Sequence, residues 1–250
     1  VAFLSFSLSA SSVYILNDCL DLASDRRHPR KKTRPFASGS LSIPFGLTLA
    51  LGCLVAGVLL AFVLPREFFM VLTVYLTLTT AYSFYLKQFV LLDVIVLAQL
   101  YTVRVYGGGA ATEVVPSHWL LTFSLFLFLS LALIKRFTEL RVTSQTEDRE
   151  LHGRGYWVTD LEQISSIGTA SGLLAVLVLA LYISSKEVLL LYSHAEVLWL
   201  VCPVMLYWIS RIWMLAYRNQ MDDDPVVFAV KDPESYVTAV LLGAILYLAK

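Results

Sequence analysis

Apolar runs of about twenty residues recur along the chain, broken by short polar stretches. They fall at roughly 1–16, 44–64, 68–86, 90–111, 118–134, 164–184, 195–217 and 235–250. A helix of that length crosses a hydrocarbon core of ~30 Å. A chain built this way folds as an all-α, polytopic transmembrane helical bundle with about eight spans. Composition agrees: 58% of the 250 side chains are hydrophobic and 15% charged. A water-soluble domain carries nearer a quarter charged residues. Nineteen basic residues balance nineteen acidic ones, so no basic field points to nucleic acid. Cys19, Cys53 and Cys202 lack any zinc or disulfide spacing. The first run begins at Val1 inside apolar sequence, without the basic head of a signal peptide, and reads as a truncated span.

The cations are distributed unevenly. Residues 17–43 hold Arg26, Arg27, Arg30, Lys31, Lys32 and Arg34, and residues 135–163 hold Lys135, Arg136, Arg141, Arg149 and Arg154. Lys87, Arg218 and Lys231 fall in further connections on the same side, whereas the alternate connections carry only Arg66 and Lys186. Strict alternation of spans and the positive-inside rule place the two long loops together on the cytoplasmic side of the cell (inner) membrane.

Those two loops carry most of the unusual chemistry. Asp18, Asp21 and Asp25 stand at i, i+3 and i+7, one stripe of a helix. Three like charges repel unless neutralised, and a hard divalent cation such as Mg²⁺ does so with a few carboxylates plus substrate phosphate oxygens. The bland alternative is a solvated helix end paired with Arg26 and Arg27. Six cations follow the stripe, a pattern that suits a diphosphate or, more simply, a topogenic patch facing lipid headgroups. Arg34, followed by Pro35 and the Ser38-Gly39 turn, is the cation assigned to substrate; His28 reads as loop surface.

Asn17-Asp18-x-x-Asp21-x-x-x-Asp25 at the end of a span, then Arg34-Pro35 and Ser38-Gly39, then Tyr82-Ser83 with Lys87, resembles the UbiA superfamily over essentially the whole chain. The resemblance implies a single domain, residues 1–250, typically of nine spans around a central cavity open to the cytoplasmic side. A ninth span would precede Val1. It also implies Mg²⁺-dependent transfer involving a polyprenyl lipid and a phosphorylated or diphosphate co-substrate. Asp18, Asp21 and Asp25 would then be the metal-binding and catalytic acids, Asn17 part of the same motif, and Arg34 and Lys87 phosphate clamps. Nothing in this pattern calls for nucleic acid, and a homo-oligomer is compatible with it.

The second half departs from that family's usual repeat of the acidic device. Placing Leu133-Ile134-Lys135-Arg136 on Ile15-Leu16-Asn17-Asp18 sets Glu139 on Asp21 and Thr143 on Asp25. Both stretches follow a Ser/Leu-rich span, so the chain reads as pseudo-repeat halves at about 1–111 and 118–250. A carboxylate site has become mainly cationic. Lys135 and Arg136 suit the phosphate of a lipid acceptor, and Glu139 can hold one of them or reach a metal. Lys135 to Leu140, Tyr207 to Arg211 and Asp222 to Ala229 resemble the branch that transfers 5-phosphoribose from phosphoribosyl diphosphate to polyprenyl phosphate. The alternatives are an aromatic or quinone-pathway polyprenyltransferase using a prenyl diphosphate, and a non-enzymatic transporter.

The remaining signals are weaker. Arg154 and Tyr156, in Gly153-Arg154-Gly155-Tyr156, read either as a lid reaching phosphate or sugar or as a plain turn, and Glu147 to Glu150 as a solvated face. Asp93 and Arg104 lie inside one apolar segment, eleven residues apart and on one helical face. Gly107 to Gly109 suit close helix packing, and Asp222 to Asp224 a metal only if they do not lie on a helix.

Overall fold

The computed structural model describes residues 1–27, 31–144, 150–151, 154–221 and 224–250. The readings placed on His28, Glu147, Asp148, Arg149, Gly153, Asp222 and Asp223 lie outside these. The helices are α1 (Ala2–Leu20), α2 (Leu22–Arg27), α3 (Ile43–Ala61), α4 (Arg66–Phe84), α5 (Leu92–Thr112), α6 (His118–Thr143), α7 (Leu161–Ile183), α8 (Lys186–Leu191), α9 (Val201–Tyr217), α10 (Pro225–Lys231) and α11 (Pro233–Ala249). The only strands among the described residues are β1 (Glu150–Leu151) and β2 (Tyr156–Trp157), a two-rung antiparallel ladder.

Among the described residues, six helical stretches are long and apolar enough to span a membrane: α3, α4, α5, α6, Val158–Ile183 and Ala195–Tyr217. The eight expected segments therefore divide six to two. α11, of 17 residues, falls among the shorter apolar helices. α1 has the length, at 19 residues, but its serines with Asn17 and Asp18 dilute its apolar character. Two boundaries also move. α1 runs on to Leu20 and α6 to Thr143, so Asn17, Asp18, Lys135, Arg136 and Glu139 sit on helical turns rather than in connections. Hydropathy marks where the apolar run stops; backbone hydrogen bonding carries the helix past it.

The chain divides into two compact units, residues 1–96, 103–116 and 152–154 in the first, and 97–102, 117–151 and 155–250 in the second. Each is organised on a serine-bearing helix pressed against a glycine. In the first unit Ser5 of α1 donates to the Gly57 carbonyl of α3 at 2.7 Å, and a Cβ on Gly57 would lie 2.5 Å from the Ser9 oxygen. In the second, Ser130 of α6 donates to the Gly168 carbonyl of α7 at 2.7 Å and accepts from the Trp213 indole at 3.0 Å. Small residues let the backbones approach closely, and the serine hydroxyls find partners where lipid offers none. Gly107 belongs to the same economy, since a Cβ there would meet the Phe6 ring at 2.5 Å.

Helix starts follow the local sequence. Ser42 with Pro44, Ser117, Asp224 with Pro225, and Asp232 with Pro233 cap α3, α6, α10 and α11 through side-chain oxygens on free N–H groups.

Candidate functional site

The three aspartates converge as the spacing requires, although the helix breaks between them. Asp21 ends α1, yet its N–H reaches the Asn17 carbonyl and its carbonyl accepts from the Asp25 N–H, both at 2.8 Å. The helical register thus passes through the bend, and one face keeps all three acids. Arg34 donates from a single Nη1 to Asp18 at 2.9 Å and Asp25 at 2.8 Å. Lys87 donates to Asp21 at 2.6 Å and to the Asn17 amide oxygen at 3.2 Å, while the Asn17 amide donates to Asp21 at 2.9 Å. Six expected residues therefore form one cluster in the first unit. Three carboxylates face two cations.

Arg34 is held by a tight turn. The Ser38 N–H bonds the Arg34 carbonyl at 2.8 Å, and the Ser38 and Ser40 hydroxyls both donate to the Pro35 carbonyl. Gly39 takes φ +80°, a left-handed geometry that a side chain would strain. Phe36 anchors the turn, buried against α3 where a Cβ on Gly46 would strike its ring at 2.5 Å. Lys87 is presented by the 3₁₀ turn Leu86–Gln88 that follows α4. Close by in sequence, Tyr82 accepts from Arg154 at 2.5 Å with the guanidinium over its ring.

The second unit carries the cationic pair. Lys135 donates to Asp224, the cap of α10, at 2.8 Å. Burial opposes charge on Asp224, but Lys135 and the N–H groups of Val226 and Val227 outweigh it and hold the carboxyl below the usual range. Arg136 is fully buried, paired with Glu139 one turn on and lying over the ring of Tyr156, which is also fully buried. The residues expected to contact a second phosphate thus differ in access. Lys135 is about one-third exposed, whereas Arg136 and Tyr156 are interior. Tyr156 lies in β2 with its side chain turned inward.

Three further groups had only faint sequence signals. Arg104 of α5 donates to the Tyr75 hydroxyl of α4 at 2.7 Å and the Tyr14 hydroxyl of α1 at 3.4 Å. Scales of insertion put an arginine at mid-span at about 2.5–3.5 kcal/mol, so partners are required. Tyrosines inside apolar runs were the available clue. Asp93, fully buried in the first turn of α5, accepts from the Val94 N–H at 2.6 Å. Arg211 of α9 holds Asp232 through two bonds of 2.7 and 2.9 Å and Glu234 at 2.6 Å. Those bonds keep the Asp232 carboxyl below the usual range against the effect of burial.

The first cluster offers the hard oxygen donors that Mg²⁺ prefers, and Asp18 and Asp21 are 31% and 26% exposed. Among the described residues no three His, Cys, Asp or Glu side chains group closely enough to cage an ion alone. The carboxylates are parted by the cations they clasp. That fits a metal held by one or two carboxylates together with phosphate oxygens, the usual habit of Mg²⁺.

Comparison with known proteins agrees with this architecture. The chain is 37% identical over 249 residues to the uncharacterized protein y4nM of Sinorhizobium fredii, covering 99% of this chain and 48% of that one. It is 36% identical over 237 residues to the nodulation protein NoeC of Azorhizobium caulinodans, covering 95% of this chain and 77% of that one. Over 146 residues, 58% of this chain and 48% of the relative, it is 36% identical to decaprenyl-phosphate phosphoribosyltransferase of Mycobacterium tuberculosis. The chain thus spans about half the length of the first of these, and its matched region about half the length of the third. A UbiA homolog from Archaeoglobus fulgidus, solved bound to DMAPP and Mg²⁺, shares the fold at a TM-score of 0.71 and 14% identity, covering 98% of this chain and 86% of that one. Residues 1–231 match the UbiA prenyltransferase family, and the chain, a multi-pass integral membrane protein, belongs to it.

Proposed function

We propose that this UbiA-family transferase moves 5-phosphoribose from phosphoribosyl diphosphate to a polyprenyl phosphate. The observation that carries the reading is the unequal pair of helix ends. The end of α1 and the start of α2 carry Asp18, Asp21 and Asp25, whereas the last turns of α6 carry Lys135, Arg136 and a single Glu139. One end suits a metal-bound diphosphate and the other an additional phosphate, which a reaction between two phosphorylated substrates requires. Partial similarity to decaprenyl-phosphate phosphoribosyltransferase supports the same reading.

In this scheme the bond from ribosyl C1 to the diphosphate oxygen breaks, and a bond from C1 to an oxygen of the lipid phosphate forms. Diphosphate leaves with the bonding electrons. The acceptor is already an anion, so no residue need remove a proton. Carboxylates of the Asp18, Asp21 and Asp25 cluster, one or two to an ion, would hold Mg²⁺, which would supply charge neutralisation on the leaving group. Arg34 and Lys87 exchange carboxylate for diphosphate oxygens, and Asn17 keeps Asp21 and Lys87 in register. Lys135 exchanges Asp224 for a phosphate oxygen, Arg136 and Glu139 fix the helix end behind it, and Tyr156 packs over Arg136. Arg154, seated on Tyr82, is the remaining cation offered to the donor.

The test is transfer from labelled phosphoribosyl diphosphate to polyprenyl phosphate, run beside prenyl diphosphate with an aromatic acid. Product in the first pair and none in the second supports the reading. The reverse overturns it and leaves an aromatic prenyltransferase. Lys135→Met should raise the KM for one phosphorylated substrate roughly tenfold, the loss of one charge-assisted contact, and leave the other near wild type. Unchanged values for both would remove Lys135 from the reaction.

Orientation belongs to the same proposal. The basic residues of 17–43 and 135–163 support a cytoplasmic position for both segments. Single cysteines introduced in each should resist an impermeant reagent applied outside intact cells. Labelling of both from outside would reverse the arrangement.

A further inference from the structure

Within the second unit, α10 is held at both ends by the same device, an aspartate followed by proline. Asp224 caps α10, and Asp232, where α10 ends, caps α11. Each aspartate also receives a basic side chain from another helix. Asp224 accepts from Lys135 of α6 at 2.8 Å, and Asp232 accepts from Arg211 of α9 at 2.7 and 2.9 Å.

The two ends differ in what they can release. At Asp224 the oxygens have separate partners: Oδ1 accepts from the N–H groups of Val226 and Val227, and Oδ2 accepts from Lys135. The side chain is 31% exposed. Lys135 can therefore leave while the cap stays intact and water reaches the freed oxygen. At Asp232 both oxygens bond Arg211, and Oδ2 also accepts from the N–H and hydroxyl of Ser235. That side chain is 7% exposed, so releasing Arg211 would strand a buried carboxylate. One end of α10 is an anchor and the other is exchangeable.

We propose that α10 presents an internal competitor: Asp224 occupies Lys135 until a phosphomonoester displaces it, and Arg211 is the positioning residue that sets how firmly Asp224 is held there. The inference rests on the reading of Lys135 as a phosphate contact. A tethered anion competes at a high effective concentration, and apparent affinity falls with the fraction of time the site is filled. The seven residues of α10 carry the anchor at Asp232 to Asp224 across about 10 Å of helix. A phosphomonoester bears close to two negative charges at neutral pH against one on the carboxylate, so it can take the lysine. The sign of the effect is therefore diagnostic. Neutralising a carboxylate that substrate must displace tightens binding, whereas neutralising one that aims the lysine weakens it.

Farnesyl phosphate and ribose 5-phosphate stand for the two sources of a phosphomonoester, the lipid and the sugar. Binding of each to the purified full chain is measured in uncharged detergent, without turnover. Asp224→Asn keeps the cap, since asparagine caps a helix as well as aspartate does. It should tighten at least one probe roughly three- to tenfold, and the probe that responds more identifies the source. Arg211→Lys preserves the charge but not the forked pair, and should tighten the same probe about two- to threefold. In the Asp224→Asn background Arg211→Lys should add nothing. A purely structural Arg211 would lower the melting temperature and leave affinity unchanged, which would overturn the positioning role. Weaker or unchanged binding of both probes in Asp224→Asn, or an Arg211→Lys effect that persists in its background, would overturn the inference. Lys135→Met separates this failure from that of the underlying reading. If it weakens a probe that Asp224→Asn does not tighten, Lys135 remains a phosphate contact and the internal competitor falls. If it alters neither probe, the phosphate reading of Lys135 falls as well.

Discussion

Asp21→Ala is expected to abolish transfer and leave the protein folded. Asp21 links the two halves of the acid cluster, accepting from Lys87 at 2.6 Å and from Asn17 at 2.9 Å. Its side chain is 26% exposed and that of Lys87 11%, and Lys87 keeps the Asn17 oxygen, so losing the ion pair should cost about 1–3 kcal/mol of stability. Removing one of three neighbouring carboxylates also relieves repulsion. On the proposed reaction activity should respond differently, because charge on the leaving diphosphate would have to be neutralised in the transition state. Loss of one such contribution costs on the order of a hundred- to a thousandfold, and loss of a metal more. Chelation by EDTA should reproduce the variant, with recovery on adding Mg²⁺. Turnover near wild type in Asp21→Ala or in the chelated enzyme would sink the role given to the cluster.

Arg136→Ala is expected to destabilise the fold by about 3–5 kcal/mol, the cost of leaving one partner of a buried ion pair without the other. The side chain is fully buried between Glu139 and Tyr156. From sequence alone the same substitution would be expected to act on substrate KM, because Arg136 follows Lys135 at the end of an apolar run. Burial changes the expectation from binding to folding. The double variant Arg136→Met with Glu139→Met, which removes both charges and keeps volume, should recover most of the lost stability. Melting in detergent across the set measures this. A fully stable Arg136→Ala protein with a raised KM would return Arg136 to the substrate.

The acid cluster was legible in sequence because its spacing is local. Residues at i, i+3 and i+7 share a face whatever surrounds the helix, and the bend at Asp21 preserves the i to i−4 hydrogen bonds that keep that face. Arg34 was legible too, since Pro35 and Gly39 mark the turn that presents it. The helix ends were less so. Apolar content stops near 16 and 134, while the helices continue to Leu20 and Thr143.

Membrane insertion, the helical class and the grouping of charge into a few connections follow from composition and periodicity, which the sequence determines alone. Which charges meet is different. Lys87 lies 66 residues from Asp21, Lys135 lies 89 from Asp224, and Arg104 lies 90 from Tyr14. Nothing in spacing joins such pairs. The packing of α1 on α3 and of α6 on α7, set by serines against Gly57 and Gly168, decides what each helix face meets. The same packing leaves Lys135 partly exposed and encloses Arg136 one residue later, because neighbours on a helix point about 100° apart and the elements packed on α6 cover the direction of Arg136 more fully than that of Lys135.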